Sequence, residues 1–260
     1  MTTSKQFNDL PIGKPVLRAV SEMGFEAPTA IQERCIPKIL EGSDLVGQAQ
    51  TGTGKTAAFG IPVVEQIDIT NKNVQALIQC PTRELAIQVT GELMKLGKYT
   101  GGLNVVPVYG GQPIGRQLKA LKRGAHIVVG TPGRTIDHLQ RGTLELSHLK
   151  QIIFDEADEM LNMGFREDME KILSYTVGPI QKIMFSATVP RAIRQIMNRY
   201  MDSPETVTIE RKAITAPNID QYVVEVRDSV RTEAICRFMD YHDFRLALVF
   251  CNTRRKTEKL

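Results

Sequence analysis

The sequence has little of what marks several common protein classes. Its four cysteines, Cys35, Cys80, Cys236 and Cys251, stand far apart with no CxxC spacing, which argues against a disulfide scaffold and against paired-cysteine zinc motifs. The four histidines do not gather around them, so reduced thiols in a cytoplasmic protein are the expectation. No apolar run approaches the roughly 18 residues that a membrane-spanning helix needs. The start, Met1 to Pro11, has no basic segment followed by an apolar one, so no export signal is expected either. Charge of one sign is scarce too. Lys and Arg number 33 against 29 Asp and Glu, a net +4, too modest to identify a nucleic-acid partner by itself. Internal repeats and low-complexity tracts are missing as well.

What is present is ordinary globular material. With 260 residues, 42% hydrophobic and 24% charged, the chain has room for one large α/β domain or two modest ones. From about Asp44, short apolar runs alternate with helical patterns, the rhythm of βαβ units around a parallel sheet. The runs are Asp44–Gly47, Ala76–Cys80, Val105–Tyr109, His126–Val129, Gln151–Asp155, Lys182–Ser186 and Thr206–Ile209. Polar, Gly or Pro residues follow each run, at the edge where open α/β sheets place their ligands. A first domain is expected over 1–210 and a linker over 211–220, where Pro217 interrupts any periodicity. Over 221–260 the pattern predicts a strand (Gln221–Val226), a helix (Arg231–Tyr241) and a second strand (Leu246–Cys251). A piece of that size buries too little surface to be stable unaided.

Ala49, Gln50, Thr51, Gly52, Thr53, Gly54, Lys55 and Thr56 follow a strand and open a helix. Glycines there let backbone N–H groups turn inward around phosphate oxygens, and the helix start adds its positive dipole end. Lys55 is placed to neutralise β- and γ-phosphates and Thr56 to ligate Mg²⁺. A second signal is the apolar run that ends in Asp155, Glu156, Ala157 and Asp158. A strand's carboxyl edge is where a P-loop ATPase keeps its metal-binding carboxylate and its water-activating acid. Asp155 then holds Mg²⁺ through water, and Glu156 orients or deprotonates the attacking water. The methionines Met160, Met163 and Met169, and the set Ile193, Ile196, Met197 and Tyr200, fit core packing. Arg254, Arg255, Lys256 and Lys259 read as a solvated helix face.

The spelling Asp155-Glu156-Ala157-Asp158 together with Ala49–Thr56 resembles the DEAD-box family of ATP-dependent RNA helicases. Other segments are similar to further family motifs, in the same order. Gly24 to Gln32, with Phe7 upstream, matches a motif that there discriminates adenine, which implies stacking by Phe25 and base-edge hydrogen bonds from the Gln32 amide. Pro81-Thr82-Arg83, Gly110-Gly111 and Thr131-Pro132-Gly133-Arg134 match segments that in the family contact the RNA sugar–phosphate backbone without reading base edges. Ser186-Ala187-Thr188 matches a motif that links the nucleotide site to the RNA site, which implies coupling through Asp158, Ser186 and Thr188. Leu248 to Thr253 looks like the first motif of the family's second RecA-like domain.

The resemblance implies a RecA-like P-loop NTPase domain, α/β with a central parallel sheet and helices on both faces. An incomplete second RecA-like domain would follow. It also implies ATP and Mg²⁺ as cofactors, RNA as partner, no membrane, and a cytoplasmic setting. The family's arginine fingers lie beyond its first second-domain motif, so the expectation is a shortened chain that binds ATP and RNA with little or no unwinding of its own. Two other readings stay open: a P-loop ATPase acting on DNA, and a nucleotide-dependent RNA clamp without efficient hydrolysis.

Overall fold

A computed structural model describes residues 6–209, 220, 222–242 and 244–260. By backbone contacts the chain divides into two units, Met1–Glu210 and Arg211–Leu260. The first holds a seven-stranded sheet in the order β3-β4-β2-β5-β6-β1-β7, all of whose neighbours run parallel. The strands are β1 (Leu45–Gln48), β2 (Ala76–Gln79), β3 (Val105–Val108), β4 (Ile127–Gly130), β5 (Gln151–Phe154), β6 (Gln181–Ser186) and β7 (Glu205–Thr208). Each lies within a residue or two of the apolar run that predicts it.

Alternate residues of these strands feed two separate apolar cores, as the two-residue side-chain period of a strand requires. Ile153 packs in one core with Leu45, Ile78, Ile183 and Phe185. Its neighbours Ile152 and Phe154 pack in the other with Val46, Leu77 and Met184. On the first face lie α1 (Lys14–Glu22), α2 (Ala30–Leu40), α3 (Lys55–Glu65) and α4 (Arg83–Leu96). The second is covered by α5 (Ile114–Lys122), α6 (Pro132–Gln140), α7 (Ala157–Asn162), α8 (Arg166–Ser174) and α9 (Arg191–Tyr200). The connections by α3 and α4 run toward β3, and all later ones run back toward β7. Reversing direction obliges the crossovers to change face, because each must stay right-handed.

That reversal puts loops leaving to opposite faces side by side at the carboxyl edge, the arrangement that opens a ligand crevice. Backbone bonds continue the ladder one residue past the strands there: Thr131 N–H to Val108 C=O at 3.0 Å, Cys80 to Gly130 at 2.8 Å, Asp155 to Gln79 at 2.9 Å and Ala49 to Ser186 at 3.0 Å. At the opposite edge Asp44 closes the sheet, accepting from Lys182 N–H at 2.7 Å and from Asp202 N–H at 2.8 Å.

The second unit contains α10 (Arg231–His242) and α11 (Arg254–Lys259), and α11 is solvated on every side. Residues 222–226 and 246–251 are not strands, contrary to the sequence expectation, and Gln221 lies outside the described residues. The cause is physical: an alternating apolar pattern becomes a strand only where a neighbour pairs its N–H and C=O groups, and among the described residues none does so. The expected linker lies outside the described residues apart from Asp220. Met163 is a further correction. Met160 and Met169 are fully buried, but Met163 is 46% exposed; it lies past the last turn of α7, as its carboxyl cap. Among the described residues no helix is long and apolar enough to cross a membrane.

Candidate functional site

The residues singled out in the sequence converge on the carboxyl edge of the sheet. Gly54 begins α3 in the left-handed region, at φ +87°. A side chain there would be strained and would also run into the Gln32 amide. The loop before it is held from within and from outside. The Thr53 hydroxyl donates to Gln50 C=O at 2.7 Å, and the Thr29 hydroxyl donates to Thr53 C=O at 2.9 Å.

Gln32 is buried. Its Oε1 accepts from Thr29 N–H at 2.9 Å and its Nε2 donates to Gly54 C=O at 3.1 Å. One side chain therefore both starts α2 and clamps the loop. An amide offers two donors and two lone pairs, so one of each remains for a ligand. Phe25 is half-buried and stacks on Phe7, ring centroids 6.2 Å apart.

Lys55 is buried, and its Nζ has no hydrogen-bond partner among the described residues. Such a group is costly unless an anion completes it. Thr56, half-buried, follows it on α3. Across from this loop Asp155, also buried, follows β5. Burial pushes its carboxyl up to about 7; the Lys55 charge pulls the other way and Glu156 adds to the rise. Glu156 sits at φ +52°, ψ +49° as the cap of α7, a conformation that costs a non-glycine residue free energy. Cys80, fully buried beside these acids, has its thiol pushed well up, first by burial and then by Asp155 and Glu156. That makes it inert as a nucleophile.

Asp158 binds the end of β6. Its Oδ2 accepts from both Thr188 N–H and the Thr188 hydroxyl, each at 2.9 Å. Its own N–H donates to Ser186 Oγ at 3.2 Å, while that hydroxyl donates to Thr188 C=O at 2.6 Å. Burial is the largest single influence on Asp158 and acts to raise its pKa. The bonds from Thr188, Ser186 and the backbone together outweigh it and hold the carboxyl below the usual range.

A second group of residues sits over β2, β3 and β4. Thr82 caps α4, its hydroxyl accepting from Leu85 N–H at 3.2 Å, with Pro81 buried before it and Arg83 exposed after it. The Arg83 guanidinium lies directly against the α-carbon of Gly111, whose φ is +77°. Gly110 precedes it, half-buried. Thr131 starts α6, Pro132 occupies its first turn, where a missing N–H costs nothing, and Gly133 is exposed. Arg134 is turned inward: Nη1 donates to Gln112 C=O at 3.0 Å and to Gln117 Oε1 at 3.1 Å.

Gln117 and His138, both buried, escaped the sequence reading. The available signal was a lone glutamine on the inward stripe of α5, between Ile114, Leu118 and Leu121.

Comparison with known proteins agrees with this geometry. Residues 29–196 match the DEAD/DEAH box helicase family. A DEAD-box ATP-dependent RNA helicase CshA from Geobacillus kaustophilus is 50% identical over all of this chain and 55% of its own length. The ATP-dependent RNA helicase CshA of Listeria monocytogenes is 49% identical over 98% of the chain and 49% of its own. The chain thus spans about half the length of the curated relatives it matches. Among solved structures, a DEAD box protein from Methanococcus jannaschii aligns with TM-score 0.77 and 45% identity, covering 98% of this chain and 68% of that one. A hypothetical ATP-dependent RNA helicase from Sulfolobus tokodaii aligns with TM-score 0.71 and 37% identity, over 76% of this chain and 57% of its own. The fold is that of RecA-like helicase domains, and the chain belongs to the DEAD/DEAH box helicase family.

Proposed function

We propose that this chain is the nucleotide-binding part of a DEAD-box ATP-dependent RNA helicase, binding and hydrolysing ATP at the edge of its sheet and coupling that to RNA. The observation that carries the reading is the buried, unpartnered Lys55 Nζ facing a buried carboxylic acid, Asp155. Each is costly alone, and a phosphate–metal pair satisfies both. Phe25 and Gln32 hold the adenine, and the N–H groups of Ala49 to Gly54 cradle the phosphates with Lys55 on the β- and γ-groups. Among the described residues no group of three or more His, Cys, Asp or Glu side chains can cage a metal. Mg²⁺ is commonly held instead by one carboxylate, a hydroxyl, water and substrate phosphates, which suits Thr56 and Asp155. The ion's contribution is to neutralise charge on the transferring phosphoryl group.

Glu156 then orients or deprotonates the attacking water. Its left-handed backbone at the strand-to-helix turn is the kind of costly conformation that is kept where a site requires it. The RNA sugar–phosphate backbone runs over Pro81, Thr82, Arg83, Gly110, Gly111, Thr131, Pro132, Gly133 and Arg134. Helix starts, hydroxyls and arginines there grip phosphate and read no base edge. Asp158, Ser186 and Thr188 pass the state of the acidic motif to the end of β6. In this reading 1–210 is the ATP-binding RecA-like domain, 211–220 a linker and 221–260 part of a second RecA-like domain. The setting is cytoplasmic.

The test is steady-state ATP hydrolysis with and without single-stranded RNA, beside Glu156→Gln, with equal lengths of RNA and DNA in competition. RNA-stimulated turnover that the variant lacks supports the reading. Failure to bind ATP removes it, and preference for DNA moves the chain to another class of ATPase.

A further inference from the structure

The three segments assigned to RNA are far apart in sequence, and one buried side chain joins two of them. Gln117, on the inward face of α5, is 2% exposed. Its Nε2 donates to Tyr109 C=O at 2.9 Å and to Gln112 Oε1 at 3.2 Å, which holds the Gly110-Gly111 turn from both sides. Its Oε1 lies 3.1 Å from Arg134 Nη1 and 3.0 Å from His138 Nε2. Arginine has no acceptor, so the amide oxygen must face Arg134 and the orientation of the amide is fixed. With that oxygen accepting, His138 Nε2 carries the proton and Nδ1 is left facing the Thr143 hydroxyl at 2.8 Å. All four hydrogen-bonding positions of the Gln117 amide are therefore used inside the protein.

We infer that Gln117 is a positioning residue for RNA binding, with His138 and Thr143 behind it setting the angle of its amide. The inference rests on the RNA reading of the 110–111 and 131–134 segments. Gln117 itself, buried beneath them, touches no phosphate. A fully satisfied polar hub specifies one arrangement of the segments it ties, and here those are the glycine turn and the arginine expected on adjacent phosphates. An apolar residue of the same volume would leave the helices packed and the two loops unregistered. Arg134 would then lose one of its two internal acceptors, and Tyr109 C=O would be orphaned.

The experiment uses the whole chain with a slowly hydrolysed ATP analogue and a fluorescently labelled oligouridylate. It compares wild type with Gln117→Met, which conserves volume, and with Thr143→Val, a milder change two steps from the loops. Expected for Gln117→Met is RNA affinity about tenfold weaker, the effect of losing buried hydrogen bonds, with ATP affinity within about twofold. The slope of log affinity against log salt should also flatten, by about 0.7 for each phosphate that the protein no longer neutralises. A smaller loss of the same kind is expected from Thr143→Val, which keeps the proposal open to test should Gln117→Met fail to fold. Unaltered RNA affinity and salt slope in a folded Gln117→Met would overturn the inference, as would equal losses for ATP and RNA. If Gln117→Met does not fold, an unaltered Thr143→Val overturns it. Wild type that binds ATP but no RNA removes the RNA reading itself, and the inference with it.

Discussion

Thr188 gives both its backbone N–H and its hydroxyl to one oxygen, Oδ2 of Asp158, at 2.9 Å each. The two residues belong to different strand ends, after β5 and after β6, so this pair is where the acidic motif grips its neighbour. Hydrogen bonds to a charged group are stronger than neutral ones, but this pair is partly exposed and its worth is correspondingly reduced.

Thr188→Val removes one of the two bonds and leaves the N–H in place. We expect a stability loss of about 1 kcal/mol and nucleotide affinity close to wild type. On the proposal that the grip transmits the state of one strand end to the other, the factor by which RNA raises ATP turnover should fall several-fold. Turnover assays across an RNA titration read that factor. An unaltered factor would separate the Asp158–Thr188 pair from coupling and leave it a structural tie.

Asp155 is kept where its charge is unwelcome. Its folded pKa of about 7 lies above the ordinary 3.8, so the folded protein binds more protons than the unfolded one between those values. The group's stabilising contribution is complete below about pH 4 and is lost as pH rises through about 7. The difference corresponds to on the order of 4 kcal/mol at full ionisation. In nucleotide- and metal-free protein, Asp155→Asn should therefore melt higher than wild type at pH 8. The advantage should shrink steadily on acidification and vanish near pH 4. A pH-independent difference in melting temperature would contradict the burial argument.

Local signals were legible and assembled ones were not. Gly52, Gly54 and Lys55 act within one strand–loop–helix unit, so their pattern survives in the sequence. Asp155 and Glu156 could be read for the same reason. The seven strands were legible because buried parallel strands are near-continuous apolar runs, yet their order was not. β1 lies between β6 and β7 through pairs such as Leu45 with Ile183 and Leu45 with Glu205, which no local pattern announces. The same property misled over 222–226 and 246–251, where strand-like composition finds no partner among the described residues. Gln117 was overlooked because its meaning comes from Tyr109, Gln112, Arg134 and His138, which only the fold brings together.

Glu156 tests whether strain serves function. At φ +52° and ψ +49° a non-glycine residue pays about 1 kcal/mol or more, which glycine avoids at some cost in unfolded-chain entropy. Glu156→Gly should therefore be as stable as wild type or up to about 1 kcal/mol more so, whereas Glu156→Ala should gain nothing from the backbone. Both should lose about 10²- to 10⁴-fold in turnover, the usual contribution of a general base, with ATP affinity retained. Chemical denaturation and single-turnover hydrolysis measure the two quantities separately. A Glu156→Gly protein with near-normal turnover would take the water-activating role away from this residue.

Gly111 gives the sharpest contrast between two glycines four residues apart. At φ +77° it leaves its α-carbon open to the Arg83 guanidinium, and an added Cβ would overlap that group; Gly115, near the start of α5, has nothing within 4 Å of where its Cβ would stand. Gly111→Ala has to displace Arg83 and also bear the left-handed strain, for a loss of about 1–2 kcal/mol. Because the displaced arginine is one expected on phosphate, RNA affinity should drop while ATP affinity holds. Gly115→Ala meets neither obstacle and lies within a helix, so it should stabilise by about 0.5–1 kcal/mol with RNA affinity unaltered. Melting curves and RNA titrations on the two variants side by side decide the matter. Equal RNA affinity in both would mean that Arg83 reaches phosphate from somewhere other than its seat on Gly111.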